Sequence, residues 1–197
     1  MIITWFTSRQ AKATAKRLYP IVVQTARSRD LYAMAKLPDT VEGRFEALSL
    51  VAFAMMERLS RADKPGKDAA QALFDHMFRD LELNLGQIGV GDMSIGKQTK
   101  RLASHFMGRC DSYRRALGKG RPAVLKVLED HLFDPHDDQR PDTQAITAIA
   151  DWLADLVLAL DAMEDKPLLT GQPDLPQFVG TTYMTEQQQA DTEGSDA

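Results

Sequence analysis

Cysteine is almost missing. The chain of 197 residues has one, Cys110, so neither a disulfide nor a cysteine-cluster zinc site is open to it. An unpaired thiol suits a reducing compartment. Aromatic residues make up only 7% of the chain, and no apolar run approaches the roughly 18 residues that a bilayer span requires. The opening Met1-Ile-Ile-Thr-Trp-Phe6 is too short for the core of a signal peptide, and no basic region precedes it. Strict apolar/polar alternation is lacking throughout, and so is any internal repeat, which argues against strands and solenoids. What remains is helical periodicity. The expected fold is all-α: a single irregular bundle of about six to eight helices.

Charge is unevenly distributed. The net value of −4 conceals 22 Lys+Arg against 12 Asp+Glu in residues 1–126, and 2 against 16 in residues 127–197. A basic body of this kind suits an anionic partner, RNA or a lipid surface, unless the acidic part folds back onto it.

The chain divides into a basic amphipathic segment (1–19), a helical domain (20–163) and a Pro-, Gln- and acid-rich tail (164–197), expected to be partly disordered. In the first segment Trp5, Phe6, Ala13 and Leu18 stand among Arg9, Lys12, Lys16 and Arg17. A helix docked on the core is the favoured reading, with contact to an anionic membrane as the alternative. Pro20 is placed to start a further helix over Ile21–Arg27, and Asp30–Lys36 reads as a short helical piece. Pro38 breaks the chain, and Asp39 or Thr40 is placed to cap a long helix through Phe45, Leu48, Val51, Met55 and Leu59. Lys64-Pro-Gly-Lys67 reads as the exposed turn that ends it.

A helix through Leu73, Phe74, Met77, Phe78, Leu81, Leu85 and Ile88 follows. It is expected to stop at Gly89 in the left-handed conformation, with Gly91 as a second permissive position and Asp92 capping the next helix. That helix carries Ile95, Thr99, Leu102, Phe106, Cys110, Tyr113 and Leu117 inward and Lys97, Lys100, Arg101 and Arg115 outward, a basic stripe. Gly118–Pro122 is a second breaker. Helices through Val124–Phe133 and Ile146–Leu160 flank a polar loop around His136–Asp142.

Several motifs fail on their context. Gly91-Asp-Met-Ser-Ile-Gly96-Lys97 has the spacing of a phosphate loop, but Gln98 stands where a hydroxyl must hold magnesium, and a helix precedes it where a strand is needed. His76, His105, His131 and His136 form no i, i+4 pair, so no metal site is expected and surface or boundary positions are. Asp75, Asp80, Glu82 and Asp92 lie near the central turn. Asp75 fits an i, i+4 pair with Arg79 and Asp92 fits a cap, so no catalytic constellation and no cofactor site emerges. Lys97, Lys100, Arg101 and Arg115, extended by Lys119 and Arg121, are spaced to follow a phosphate backbone; Phe106 and Tyr113 point the other way, which argues against base stacking.

Five blocks taken in order are more specific. Pro38-Asp-Thr-Val-Glu-Gly-Arg-Phe-Glu46, Leu73-Phe-Asp-His-Met-Phe-Arg-Asp80, Ile88-Gly-Val-Gly-Asp92, Gly96-Lys97 with Lys100-Arg101, and Phe106-Met-Gly-Arg109 resemble the ubiquinol–cytochrome c chaperone family from about Tyr19 to Leu160. The chain departs from the pattern at Gly86-Gln87, at Met107 where an aromatic is usual, and at Leu50-Val51 where a histidine is expected. The resemblance implies an all-helical assembly chaperone for the cytochrome bc1 complex, neither enzyme nor cofactor protein. Its mitochondrial members act with a partner protein near the ribosomal tunnel exit and bind newly made cytochrome b. Asp39, Gly43, Arg44, Phe45, Asp75, Gly89, Gly91 and Asp92 are the motif positions it marks, and Arg109 joins Lys97, Lys100, Arg101 and Arg115 as a candidate partner contact. The expected partners are cytochrome b or another bc1 subunit, with a second assembly factor, the ribosome and a peripheral membrane contact as further candidates and DNA as none. Met34, Met55, Met56, Met77, Met93 and Met107 are candidates for an adaptable groove or, more simply, for core. The expected location is cytoplasmic, at most peripheral on the inner membrane. The alternative function is a ribosome- or RNA-associated module that uses the basic helix face.

Overall fold

A computed structural model describes residues 8–87, 92–133, 143–180 and 182. Among these residues there are eight helices and no strand: α1 (Arg9–Ala26), α2 (Arg29–Ala33), α3 (Val41–Arg61), α4 (Lys64–Gln87), α5 (Asp92–Lys119), α6 (Arg121–Leu132), α7 (Thr143–Ala162) and α8 (Asp165–Thr170). The all-α expectation holds. The glycine turn at Gly89 and Gly91, the loop 134–142 and most of the acidic tail lie outside the described residues. No described helix is long and apolar enough to cross a membrane.

α3 lies at the centre because it is apolar on nearly every side. Leu50 to Met55 form an uninterrupted buried run, and even Ser49 is buried. A helix buried all round must be covered all round, and α1, α4, α5, α6 and α7 each pack against it. α4 and α5 run antiparallel, since Gly86 meets Ile95 while Phe74 and Phe78 stack on Phe106 at ring separations of 5.8 Å. Past Phe78 no described residue of α4 is buried, and on α5 none described before Phe106 is. Leu81, Leu85, Ile95 and Leu102 are half-buried, so the two helix ends form an arm that extends beyond the core.

Local chemistry fixes the helix starts. The Ser8 hydroxyl accepts from Ala11 N at 3.1 Å and the Thr40 hydroxyl from Gly43 N at 3.1 Å, each satisfying a first-turn donor. Gly120, at φ 91°, opens α6 with Pro122 in its first turn.

Three expectations are corrected. Pro20 does not start a helix; α1 runs through it. Its ring sits on the exposed side, where the carbonyl that loses its amide partner faces water. Lys64–Lys67 does not close the preceding helix but forms the first turn of α4. Pro65 is tolerated there because first-turn amides have no partner in the helix, and Gly66 lies against the Leu59 carbonyl, where a side chain would collide. The chain after α8 is not simply a polar tail: Leu175 and Phe178 are core. The Trp152 indole donates to Pro176 O at 2.9 Å, the Ser28 hydroxyl to Phe178 O at 2.6 Å and the Gln177 amide to Thr25 at 3.1 Å, which straps the segment across α1 and α7. Prolines had masked two well-placed apolar anchors.

The approach to α3 is as close as backbones permit. A Cβ on Gly43 would collide with the Pro38 carbonyl oxygen. Gly43→Ala should therefore cost about 2 kcal/mol or more and lower the melting temperature by at least ~4 °C. Thermal unfolding followed by circular dichroism measures it; an unchanged melting temperature would mean that the Pro38 strap is free to move away.

Candidate functional site

The family-like blocks converge on the junction of α3, α4 and α5. Asp39 and Arg44 pair across the first turn of α3 at 2.6 Å, both well exposed, and Gly43 between them admits the Pro38 strap. Phe45 points into the core. One residue on, Glu46 receives two hydrogen bonds from Arg109 of α5, Nε to Oε2 at 2.8 Å and Nη2 to Oε1 at 2.8 Å. The side chains are only 12% and 25% exposed respectively. This pair is the planar, two-point match that arginine makes with a carboxylate, and its hydrogen bonds hold the guanidinium in its charged form. Further along the same helices, Arg114 reaches Glu57 at 3.0 Å and Asp111 at 2.8 Å.

Arg109 is thus no member of the outer basic face; its geometry turns it inward. The other candidates remain outside. Lys97, Lys100 and Arg101 are exposed and form no ion pair with any described residue, and Arg115 makes only a long contact of 3.5 Å to the Ser112 hydroxyl. Phe106 and Tyr113 face the core, as their positions on the helix require. Asp92 is the first residue of α5. Asp75 accepts from Gln71 at 2.9 Å instead of pairing with Arg79. Asp80 receives the Tyr19 hydroxyl at 2.8 Å and Asn84 at 3.1 Å, tying α1 to α4. Asp75 and Asp80 are thus each held by neighbouring side chains.

Beneath the Glu46–Arg109 pair lies a desolvated pocket of titratable groups. Burial pushes the Cys110 thiol up to about 12, so it behaves as an apolar group at neutral pH. Burial also raises the Tyr113 phenol far above its ordinary value. His131 lies at the boundary, as expected, half-buried and edge-on against Tyr113 at 5.5 Å, with Nδ1 buried and without a partner among the described residues. Desolvation, aided by the Arg109 charge, lowers it to about 4. His76 similarly edges onto Tyr19 at 5.1 Å. Of the candidate groove methionines, Met55 and Met77 are core, whereas Met107 is 54% exposed. Among the described residues no group of His, Cys, Asp and Glu is arranged to hold a metal ion.

Glu46 was the functional position that spacing alone did not single out. Its charge, opposite to that of Arg109 in another block, was the one available signal. Helices joined by ion pairs, the Glu46–Arg109 pair largely shielded from water, together with an arm that reaches beyond the core and a separate face of free cations, define a helical scaffold. The chain belongs to the ubiquinol-cytochrome C chaperone family, whose model matches residues 34–178. It is also similar to the crystal structure of the Cbp3 homolog from Brucella abortus, at 27% identity and a TM-score of 0.75, over 86% of this chain and 92% of that one. No curated protein matches the chain significantly.

Two outcomes follow for this junction. Arg109→Ala should cost about 2–4 kcal/mol in urea unfolding, because it strands Glu46 in a largely dry site, while replacing Glu46 and Arg109 together with Leu and Met should recover about half or more. Additive losses would mean that the pair is not coupled. His131 is neutral in the fold to about pH 4 against an ordinary value of 6.5. Its contribution to stability is therefore full above pH 6.5 and falls away as pH drops toward 4. His131→Phe should flatten the pH dependence of the urea midpoint across that window; an identical slope would refute the assignment.

Proposed function

We propose that the protein is an assembly chaperone for the cytochrome bc1 complex and binds cytochrome b during its synthesis or maturation. The observation that carries this reading is the family match, which spans the helices of the Glu46–Arg109 junction and the α4–α5 arm. The similarity to the Brucella homolog supports it over most of the chain. The role needs binding alone, without catalysis or cofactor. The arm is suited to it: Leu81, Leu85, Ile95 and Leu102 are only half-buried, and Leu83 is 62% exposed. A client helix laid along that seam would complete a three-helix contact, the usual way an apolar helix docks in a groove. Binding of this kind holds an unassembled membrane helix away from aggregation, at the cytoplasmic side of the membrane, until its partners and haem arrive. A second assembly factor is a compatible partner.

A second reading is favoured by one specific feature, the free cations Lys97, Lys100 and Arg101 on the outer face of α5. That face suits ribosomal RNA, through phosphates and shape. Deleting the gene separates the two. The chaperone reading expects loss of assembled bc1 complex and its haem b with soluble dehydrogenases unaffected; normal complex levels would sink it. Complementing with the triple variant Lys97→Glu, Lys100→Glu, Arg101→Glu should restore assembly if those cations serve only RNA. Ribosome co-sedimentation of that variant then reads the second activity directly.

A further inference from the structure

The segment that follows α8 is seated like a bound peptide. Gly171 ends α8 at φ 72°, with its amide on Leu168 O at 3.1 Å and the Gln172 amide on Pro167 O at 2.9 Å. The Arg17 side chain of α1 occupies the space that a Cβ would need there. The chain then turns and runs without regular structure as Pro173-Asp-Leu-Pro-Gln-Phe-Val179. Burial alternates along it. Pro173, Leu175, Phe178 and Gly180 are buried, whereas Asp174, Gln177 and Val179 are exposed. One edge of an extended segment thus faces the body.

That edge lies in a groove. α1 packs on α3, α4 and α8, and α7 on α3 and α6, so the segment bridges the end of α1 and α2 to α7. The groove reads main chain. Trp152 Nε1 of α7 donates to Pro176 O at 2.9 Å, the Ser28 hydroxyl donates to Phe178 O at 2.6 Å, and the Asp30 carboxylate accepts from Gly180 N at 3.0 Å. Selection falls to the side chains. Phe178, 1% exposed, sets its ring edge-on to Trp152 at 5.9 Å, and Leu175 is 6% exposed. Met34 closes over Gly180, where a Cβ would strike its sulfur. Main-chain bonds that give affinity and pockets that choose side chains are the means by which extended peptides are recognised. Pro173 and Pro176 favour the extended form before docking, which lowers the ordering cost. None of these contacts requires a covalent link to α8. The link supplies a local concentration on the order of millimolar, against which a segment of another protein with the same pattern must compete.

We propose that the groove between α1–α2 and α7 is a peptide-docking site closed by residues 173–180, and that a partner protein enters it with an extended aliphatic–proline–x–aromatic segment that displaces this strap. The site uses no residue of the α4–α5 arm and does not depend on the chaperone reading. The test uses the full-length protein and a fluorescent synthetic peptide with the sequence of residues 172–180, binding being read by anisotropy. The attached segment shields the groove of the unaltered chain, so binding there should be weak. Leu175→Ser with Phe178→Ser loosens the strap and leaves the groove walls intact; the peptide should then bind at least about tenfold more tightly. Adding Trp152→Phe to that variant removes the donor to Pro176 O and should weaken the peptide about fivefold. A peptide with serine at both anchor positions should bind neither chain. Circular dichroism checks that the loosened chain is folded. If it melts below the assay temperature, Phe178→Leu alone takes its place, with the same order of affinities expected. Equal binding by the unaltered and loosened chains, no binding by a folded loosened chain, or undiminished binding of the serine peptide overturns the proposal. So does a dimer of the unaltered protein that Leu175→Ser with Phe178→Ser returns to monomer, because the groove then receives the segment of a second copy.

Discussion

Arg109 and Glu46 meet through two hydrogen bonds in a site with little water, and the relation of α5 to α3 depends on that contact. Bringing a guanidinium and a carboxylate out of solvent costs several kcal/mol per ion unless the geometry repays it. Here the planar groups face each other squarely, so the cost is offset only when the helices stand in one register. Around the pair, Cys110, Tyr113 and His131 are all held neutral by desolvation. Once α5 is fixed on α3, the antiparallel contact of α4 with α5 is fixed as well, and with it the direction in which the arm leaves the core.

The same logic orders the rest of the electrostatics. Arg58 of α3 donates to Leu160 O at 3.0 Å and Met163 O at 2.7 Å, closing the carbonyl end of α7, and also meets Asp165 at 2.8 Å. A cation at a helix C-terminus is favourable on its own; here it also joins α3, α7 and α8. Asp130, Asp151, Asp161 and Asp165 of the acidic C-terminal part are used inside the molecule, against basic residues of α3 and α6. The uneven charge along the chain does fold back on itself, but selectively. The outer rows of α1 and the first half of α5 are left with unmatched positive charge on two separate helices.

Much of this was legible from residues alone. Helical period gave the all-α class, Thr40 the start of α3, and Gly120 with Pro122 the start of α6, since each acts through local backbone chemistry. Pro20 and the Lys64-Pro-Gly-Lys67 run misled, because a proline breaks a helix only where its missing amide is needed, and exposure or first-turn position removes that need. Leu175 and Phe178 went unrecognised as core since an irregular segment has no period to expose its buried side. Arg109 was drawn as part of an outer stripe, although its angle on the helix left it between faces.

Composition and order of residues therefore determined the helices, their caps, the outward direction of Lys97, Lys100 and Arg101, and the family blocks, because these depend on neighbours at most four residues apart or on direct resemblance. Tertiary structure alone decided which charges are spent. Glu46 and Arg109 are separated by a whole helix in the chain, as are Tyr19 and Asp80, and Trp152 meets Pro176 only after α8 has turned back. Whether an arginine is a lock or a free contact is settled by what the opposite helix presents at that height, and no local pattern encodes that.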